Sequence, residues 1–376
     1  MPATYPTNRY QMHNANKLKI GLFGANCSSG RVVTKAPDRW SGNWADNLKM
    51  AQLAEEGGID FLLPLGRWKG YGGTTDYQGE SLETLTWASA LLASTKKMTV
   101  FGTVHAPLIN PVFAAKQMVT ADQVGEGRFG LNIVVGWNEG EFEMFNVKQR
   151  EHDARYEFAQ EWIDAIKLIW SDVSDVDFQG KYFDLKGIRA MPKPFGGQRP
   201  LIMNAGASAV GQSFAVKNCD AFFIQASRVS VDETAMNIAN VRQSAMQAGR
   251  SLDFYTVGLV VCRATQKEAE DYFRYAVIEN ADWSAIDSMM ERRNLSSKTL
   301  GKESYEEKRL NAAINMGGLP IVGDPDFVAE KLALYSGAGL TGVAVSLVNF
   351  IEETPFFCEE VLPRLARMGL REASGW

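Results

Sequence analysis

The stretch RFGLNIVVGWNEGEFE, residues 128–143, sets an amide inside a run of apolar residues. Side chains alternate along a strand, so Phe129, Leu131, Ile133 and Val135 share one face, and Gly130, Asn132, Val134 and Gly136 the other. A buried amide without partners costs roughly 2–7 kcal/mol on apolar transfer scales, so Asn132 needs a hydrogen-bonding group from the protein or from a ligand. In MTVFGTVHA the same alternation groups Phe101, Thr103 and His105, which brings a hydroxyl on a neighbouring strand toward Asn132. Two neutral hydrogen-bonding groups then converge. They either satisfy each other and nearby backbone groups, or face a ligand together.

A second chemical signal lies in IMNAGAS, residues 202–208, where a strand ends in small residues before the helical AVGQSFAVKN. Such a turn lets backbone N–H groups at a helix start approach a phosphate, with the Ser208 hydroxyl adding a donor. Ser208 as an ordinary helix cap is the alternative. EHDARYEF supplies Arg155 and Tyr156, side chains suited to a charge-assisted grip on a phosphate, or else a surface arginine beside a core tyrosine. His105 and His152 are the imidazoles that would move protons near neutral pH.

Other sources of chemistry are poorly represented. The three histidines and four cysteines have no metal-ligand or C-x-x-C spacing, which weighs against a catalytic metal and leaves four reduced thiols expected. GLFGANCSSG does not fit G-x-G-x-x-G, and no Walker motif occurs. An acidic chain of net charge −5 with no dense Lys/Arg cluster does not suit nucleic acid. No apolar run approaches the ~20 residues that span a bilayer, and no apolar leader precedes the first strand, so a cytoplasmic location is expected. A phosphate-bearing organic cofactor would supply the missing chemistry, and a flavin mononucleotide is the natural candidate.

The elements that must position these groups are legible as alternation of short apolar runs with amphipathic stretches. LKIGLFGA, IDFLLPLG, MTVFGTVHA, RFGLNIVVGW, PLIMNAG, DAFFIQ, YTVGLVVCRA and TGVAVSLV make eight candidate strands. Between them DARYEFAQEWIDAIKLIW places Tyr156, Ala159, Trp162, Ile163, Ile166, Ile169 and Trp170 on one helical stripe. Eight β/α units predict an α/β fold of the closed (β/α)8 TIM-barrel type, with reactive groups at the carboxyl ends of strands; an open doubly wound sheet is the competing topology. Residues 1–16 read as a flexible polar arm and 17–376 as a single barrel domain. A charged excursion at 282–318 reads as an insertion before the last unit, either a mobile lid or a surface or oligomer contact. DFQGKYFDLKGIRAMPKPFGGQRP predicts a β-hairpin and a Pro/Gly-rich connection.

Taken with GRWKGYGG after the second strand, INPVFAAKQMVTADQVGEGRFGLNIVVGW, EHDARYEFAQEW, FQGKYFDLKG, NAGAS and the closing VGDPDFVAEKLALYSGAGLTGVAVSLV and EEVLPRL, the chain resembles the bacterial luciferase family of flavin-dependent monooxygenases. The likeness is to the branch holding pyrimidine, dimethylsulfone and alkanesulfonate monooxygenases. It implies a luciferase-like (β/α)8 barrel, homodimers or homotetramers, and reduced FMN delivered by a separate NAD(P)H-dependent flavin reductase. It further implies that Gly66, Arg67, Asn132, Glu141, Arg155, Tyr156, Ala207 and Ser208 contact the flavin. Thr103 and Asn132 would line the oxygen pocket, where neutral donors stabilise developing negative charge. Trp68, Tyr71, Phe101 and Trp137 would shield the reaction from water, and Arg228, in QASRVS, would either meet an anionic substrate group or be solvated. The expected reaction is O2-dependent oxygenation and cleavage of a small heterocyclic or organosulfur compound. Hydride transfer with the deazaflavin F420 on the same fold, or a catalytically silent flavin binder, are the alternatives.

Overall fold

Short runs rich in Val, Ile, Leu and Phe, apolar on both faces, are what a sheet covered by helices requires. The computed structural model describes residues 12, 14–227, 230–293, 295, 302–315 and 318–372. Its strands are β1 Lys19–Phe23, β2 Phe61–Leu63, β3 Thr99–His105, β4 Phe129–Val134, β5 Asp175–Gln179, β6 Asp184–Arg189, β7 Leu201–Asn204, β8 Ala221–Phe223, β9 Asp253–Cys262, β10 Leu319–Gly323 and β11 Gly342–Ser346. The main sheet runs β10-β9-β11-β1-β2-β3-β4-β7-β8, and a further β9–β8 pairing joins eight of these strands into the closed (β/α)8 order. All eight strands read from the sequence are members of that cycle. β5 and β6 form the expected antiparallel hairpin. The polar arm expected at 1–16 falls mostly outside the described residues.

The chain divides into two compact units. The first holds residues 84–224 and 239–254, and contains β3, β4, β7 and β8. β3 and β4 run parallel with Phe101 opposite Gly130 and Thr103 opposite Asn132. A Cβ on Gly102 would strike Leu85 of helix Thr84–Ser94, so Gly102 faces the helices; a Cβ on Gly130 would strike the Phe101 ring, so Phe101 and Gly130 share the other face. Thr103 and Asn132 lie on that same face by alternation. Arg128, buried just before β4, donates to the carbonyls of Leu92, Thr95 and Met98, which satisfies acceptors left over where helix Thr84–Ser94 ends. The predicted stripe is helix His152–Trp170, and all seven of its residues are buried.

The second unit holds residues 15–83, 225–238 and 255 onward, with β1, β2, β10, β11 and most of β9. The insertion expected at 282–318 begins at Asp282, which caps helix Trp283–Glu291 by accepting from the Ala285 N–H. That helix packs Ala285, Ile286, Met289 and Met290 against Val33, Tyr71 and Tyr77. A second helix, Lys302–Asn315, follows; residues 294, 296–301, 316 and 317 are outside the described set. β10 was not expected: LPIVG carries Pro320, which demotes a segment as a strand, and it lies at one end of the sheet order, where a missing N–H is tolerated. No helix among the described residues is long and apolar enough to cross a membrane.

Candidate functional site

Asn132 and Thr103, paired in register on β4 and β3, are joined side chain to side chain: Asn132 Nδ2 donates to Thr103 Oγ1 at 3.1 Å. Both are 6% exposed. The Asn132 Oδ1 atom is buried and has no hydrogen-bond partner. Native interiors seldom leave an amide oxygen in that condition without a reason, because the desolvation cost is about 1–3 kcal/mol. The protein therefore answers only half of what the amide needs.

One step along β3, His105 is buried beside Glu141, with 3.8 Å between Nε2 and Oε2. Glu141 comes from the short helix Glu139–Met144 in the acidic loop after β4. The chain reaches that helix through Gly136 at φ +72°, where a Cβ would also strike the Phe142 ring, so no other residue fits. The Gly136 carbonyl accepts from Arg155 Nη1, while Arg155 Nε is buried without a partner.

Arg155 and Tyr156 stand in the first turns of helix His152–Trp170. The Tyr156 hydroxyl lies over the NAGAS turn, where a Cβ on Gly206 or Gly211 would come within 2.4 or 2.6 Å of it. Burial raises its pKa, and a hydrogen bond with the Ser208 side chain and the charge of Arg155 offset this only in part. Ser208 caps helix Ala209–Asn218 by accepting from the Gly211 N–H at 3.1 Å, so the ordinary-cap reading holds as a structural fact. The turn is shaped by Asn204, a residue the sequence reading did not single out. Its Nδ2 donates to the Ile133 carbonyl at 2.8 Å and its Oδ1 accepts from the Gly206 N–H at 2.9 Å. An amide closing an otherwise apolar strand was the available signal.

The other expected residues fall as follows. His152 is half-exposed, bonded to Asp153 at 2.7 Å, with its ring 5.4 Å from that of Tyr156. It therefore belongs with the Arg155–Tyr156–Ser208 group. Phe101 is fully buried on Gly130, Trp137 is 44% exposed, and Ala207 is an exposed member of the NAGAS turn. In the second unit, Gly66 and Trp68 are part-buried beside Arg67, whose Nε donates to Gln78 Oε1 at 3.1 Å and whose guanidinium lies 4.8 Å from the Tyr71 ring. Arg228 lies outside the described residues. All four cysteines are buried as free thiols, and burial pushes Cys219, Cys262 and Cys358 up to about 12. Among the described residues no group of three or more His, Cys, Asp or Glu is arranged to hold a metal.

The first unit thus presents a neutral hydroxyl–amide pair with an unanswered acceptor, a buried imidazole–carboxylate pair, and an Arg–Tyr–Ser group at a helix start. Comparison with known proteins bears on the chain as a whole. Residues 18–342 match the family described as luciferase-like monooxygenase. The chain is 29% identical over 367 residues to an FMNH(2)-dependent dimethylsulfone monooxygenase of Pseudomonas fluorescens (strain Pf0-1), covering 95% of this chain and 97% of that protein. It is 26% identical to the pyrimidine monooxygenase RutA of Acinetobacter baylyi (strain ATCC 33305 / BD413 / ADP1), covering 92% and 94%. The crystal structure of DmoA from Hyphomicrobium sulfonivorans superposes with a TM-score of 0.85 at 19% identity, covering 96% of this chain and 90% of that one.

Proposed function

The chain belongs to the luciferase-like monooxygenase family, and on that premise we propose that it is the oxygenating component of a two-component FMNH2-dependent monooxygenase, acting on a small organosulfur or heterocyclic compound. The observation that carries this reading is Asn132: a buried amide whose donor is taken by Thr103 and whose acceptor is left unanswered. The residues present fit a flavin. Asn132 Oδ1 is an acceptor waiting for an N–H of the kind an isoalloxazine edge offers, and Arg155, Tyr156 and Ser208 offer donors of the kind a phosphate takes.

When bound, reduced FMN supplies the two electrons with which dioxygen gives one oxygen atom to the substrate and one to water. In the protein, Thr103 and Asn132 offer neutral polar groups where negative charge grows on reduced oxygen. Being fixed to adjacent strands, they need no reorganisation to do so. Phe101, packed on Gly130, keeps that face of the sheet apolar and dry. His105, oriented by Glu141, holds a proton close to the pair along the same strand face. Arg155, Tyr156, Ser208 and Ala207 hold the phosphate end, with His152 at its edge. The parts assigned to Gly66, Arg67 and Trp68 in cofactor and substrate binding, and to Trp137 in substrate binding, rest on the family resemblance. The same holds for a homodimeric or homotetrameric assembly, a cytoplasmic location and a partner flavin reductase.

The test combines the protein with FMN, a flavin reductase, NADH and a panel of sulfones, sulfonates and pyrimidines, and follows oxygenated product. Substrate-dependent product is expected; its absence across the panel, or turnover only without oxygen and with reduced F420, overturns the proposal. Asn132→Ala should lower kcat by about 10²-fold or more, with FMN affinity largely kept. Full activity in that variant would remove the role assigned to the amide.

A further inference from the structure

The acidic loop after β4 holds an amide that neither the helix it precedes nor the reading above puts to use. Asn138 stands in the N-cap position of helix Glu139–Met144, in extended conformation (φ −87°, ψ 101°). An asparagine there ordinarily turns its side-chain oxygen back onto an N–H of the first turn. The Asn138 side chain makes no such bond, and the Glu141 N–H goes to the Asn138 backbone carbonyl at 3.0 Å. The side chain is turned inward instead. Asn138 is 5% exposed between Trp137 and Glu139, both exposed, and its Nδ2 is buried without a hydrogen-bond partner.

A second donor in the same condition belongs to Arg155. Its Nη1 donates to the carbonyl of Gly136, two residues before Asn138, which sets the guanidinium against this loop, and its Nε is buried with no partner. Loop and helix start therefore each present a buried N–H, one neutral and one cationic. The buried carboxylate of the loop, Glu141, lies 3.8 Å from His105 on β3. On β4 itself the unmet need has the opposite sense, since Asn132 Oδ1 lacks a donor. An ionised phosphate monoester has acceptor oxygens and no donor, whereas an isoalloxazine edge offers N–H groups as well. The unanswered atoms thus sort one ligand end to end, with an acceptor for the ring on β4 and donors for the phosphate beyond Gly136.

We propose that Asn138 Nδ2 donates to the FMN phosphate beside Arg155, and so selects FMN over flavins that lack the phosphate. The proposal rests on the flavin monooxygenase reading and adds to it a residue that sets cofactor specificity. A charge-assisted hydrogen bond in a buried site has the strength to do this.

Fluorescence titration of the full chain with FMN and with riboflavin, which differ by the phosphate alone, needs no turnover and is run beside the reconstituted oxygenation assay. Wild-type protein should bind FMN at least about tenfold tighter than riboflavin. Asn138→Ala should remove about tenfold of the FMN affinity; Asn138→Asp, which sets a carboxylate of nearly the same size against the phosphate, should remove about 10²-fold. Riboflavin affinity should move by less than about twofold in either variant. Thermal melting of the cofactor-free protein adds a signature that a structural role would not give. Deleting a buried donor that has no partner in the protein leaves nothing unpaired, so cofactor-free Asn138→Ala should melt at or above the wild-type temperature. An equal loss for both flavins, an unchanged FMN affinity, or no wild-type preference for FMN overturns the proposal. A lower melting temperature of the cofactor-free alanine variant overturns it too, because Asn138 would then be holding the loop. Should Asn138→Asp fail to fold, Asn138→Ala decides alone. A phosphate-selective loss in a protein that oxygenates no sulfone, sulfonate or pyrimidine keeps Asn138 and refutes the monooxygenase reading; oxygenation by a protein whose two flavin affinities fall together does the reverse.

Discussion

His105 and His152 are two imidazoles in different surroundings, and the difference divides their work. His105 is 6% exposed on the face that carries Thr103 and Asn132, with a buried carboxylate 3.8 Å away. His152 is half-exposed, bonded to Asp153, and stands over Tyr156 one helical turn on. The resemblance to the sulfone monooxygenases, which share the HDARY stretch, favoured His152 as the proton carrier, and the structure sets it beside the arginine–tyrosine pair. That same neighbourhood argues for phosphate contact. His105→Gln should therefore lower kcat by about 10²-fold at saturating FMNH2 while leaving the FMN dissociation constant nearly unchanged. His152→Ala should weaken FMN by a few-fold and leave kcat alone. Fluorescence titration of FMN, set beside product formation, reads both; the opposite split would return the proton to His152. Alternation by two was enough to bring Thr103 to Asn132. It was not enough to bring Glu141 to His105, because Glu141 arrives from a helix whose direction depends on the left-handed turn at Gly136.

At the scale of elements, Asp282 fastens the insertion to the loop after β2. Its carboxylate accepts from the Thr75 N–H at 2.7 Å, the Thr75 hydroxyl at 2.8 Å, the Thr74 N–H at 3.2 Å and Ser284 Oγ at 2.6 Å, and it caps helix Trp283–Glu291. Burial alone would raise its pKa, but these hydrogen bonds outweigh burial and hold it at about 2, below its ordinary 3.8. A depressed carboxylate stabilises the fold above its unfolded pKa and loses that contribution as pH falls through the folded value. The contribution should be constant above about pH 5, fade between about 5 and 1, and amount to about 2 kcal/mol. Urea titrations should find Asp282→Asn less stable by about that much at pH 7, with the gap closing as the pH is lowered from about 5 toward 2. A gap independent of pH would mean that the charge is not what holds the loop. The insertion's start was legible as a change from periodic helix to charged excursion. Its packing was not, since Tyr71 and Tyr77, against which it lies, are some 200 residues earlier in the chain.

For the molecule as a whole, eight strands stood out in the sequence because parallel strands covered on both faces are continuous apolar runs. β10 did not, because Pro320 breaks the pattern that an end position can tolerate. Least legible of all is the contact that ties the segment after helix Phe350–Arg367 to β1 and β2. Arg371 pairs with Asp60 and donates to the Leu18 carbonyl at 3.1 Å and the Gly58 carbonyl at 2.6 Å. Asp60, 1% exposed, also accepts from the Ile20 N–H at 2.7 Å and Asn16 Nδ2 at 2.8 Å. One arginine in LREASGW announces none of this. Removing it takes a guanidinium from a buried carboxylate, and breaking such a pair from one side costs up to about 3–5 kcal/mol. Arg371→Met should therefore lower the melting temperature by several degrees while sparing kcat at temperatures where the fold survives. Adding Asp60→Asn to Arg371→Met should recover part of the loss, because the buried charge is then gone although the hydrogen bonds to Ile20 and Asn16 can persist. If the double variant melts no higher than the single one, the arginine stabilises by packing its stem and not by neutralising Asp60.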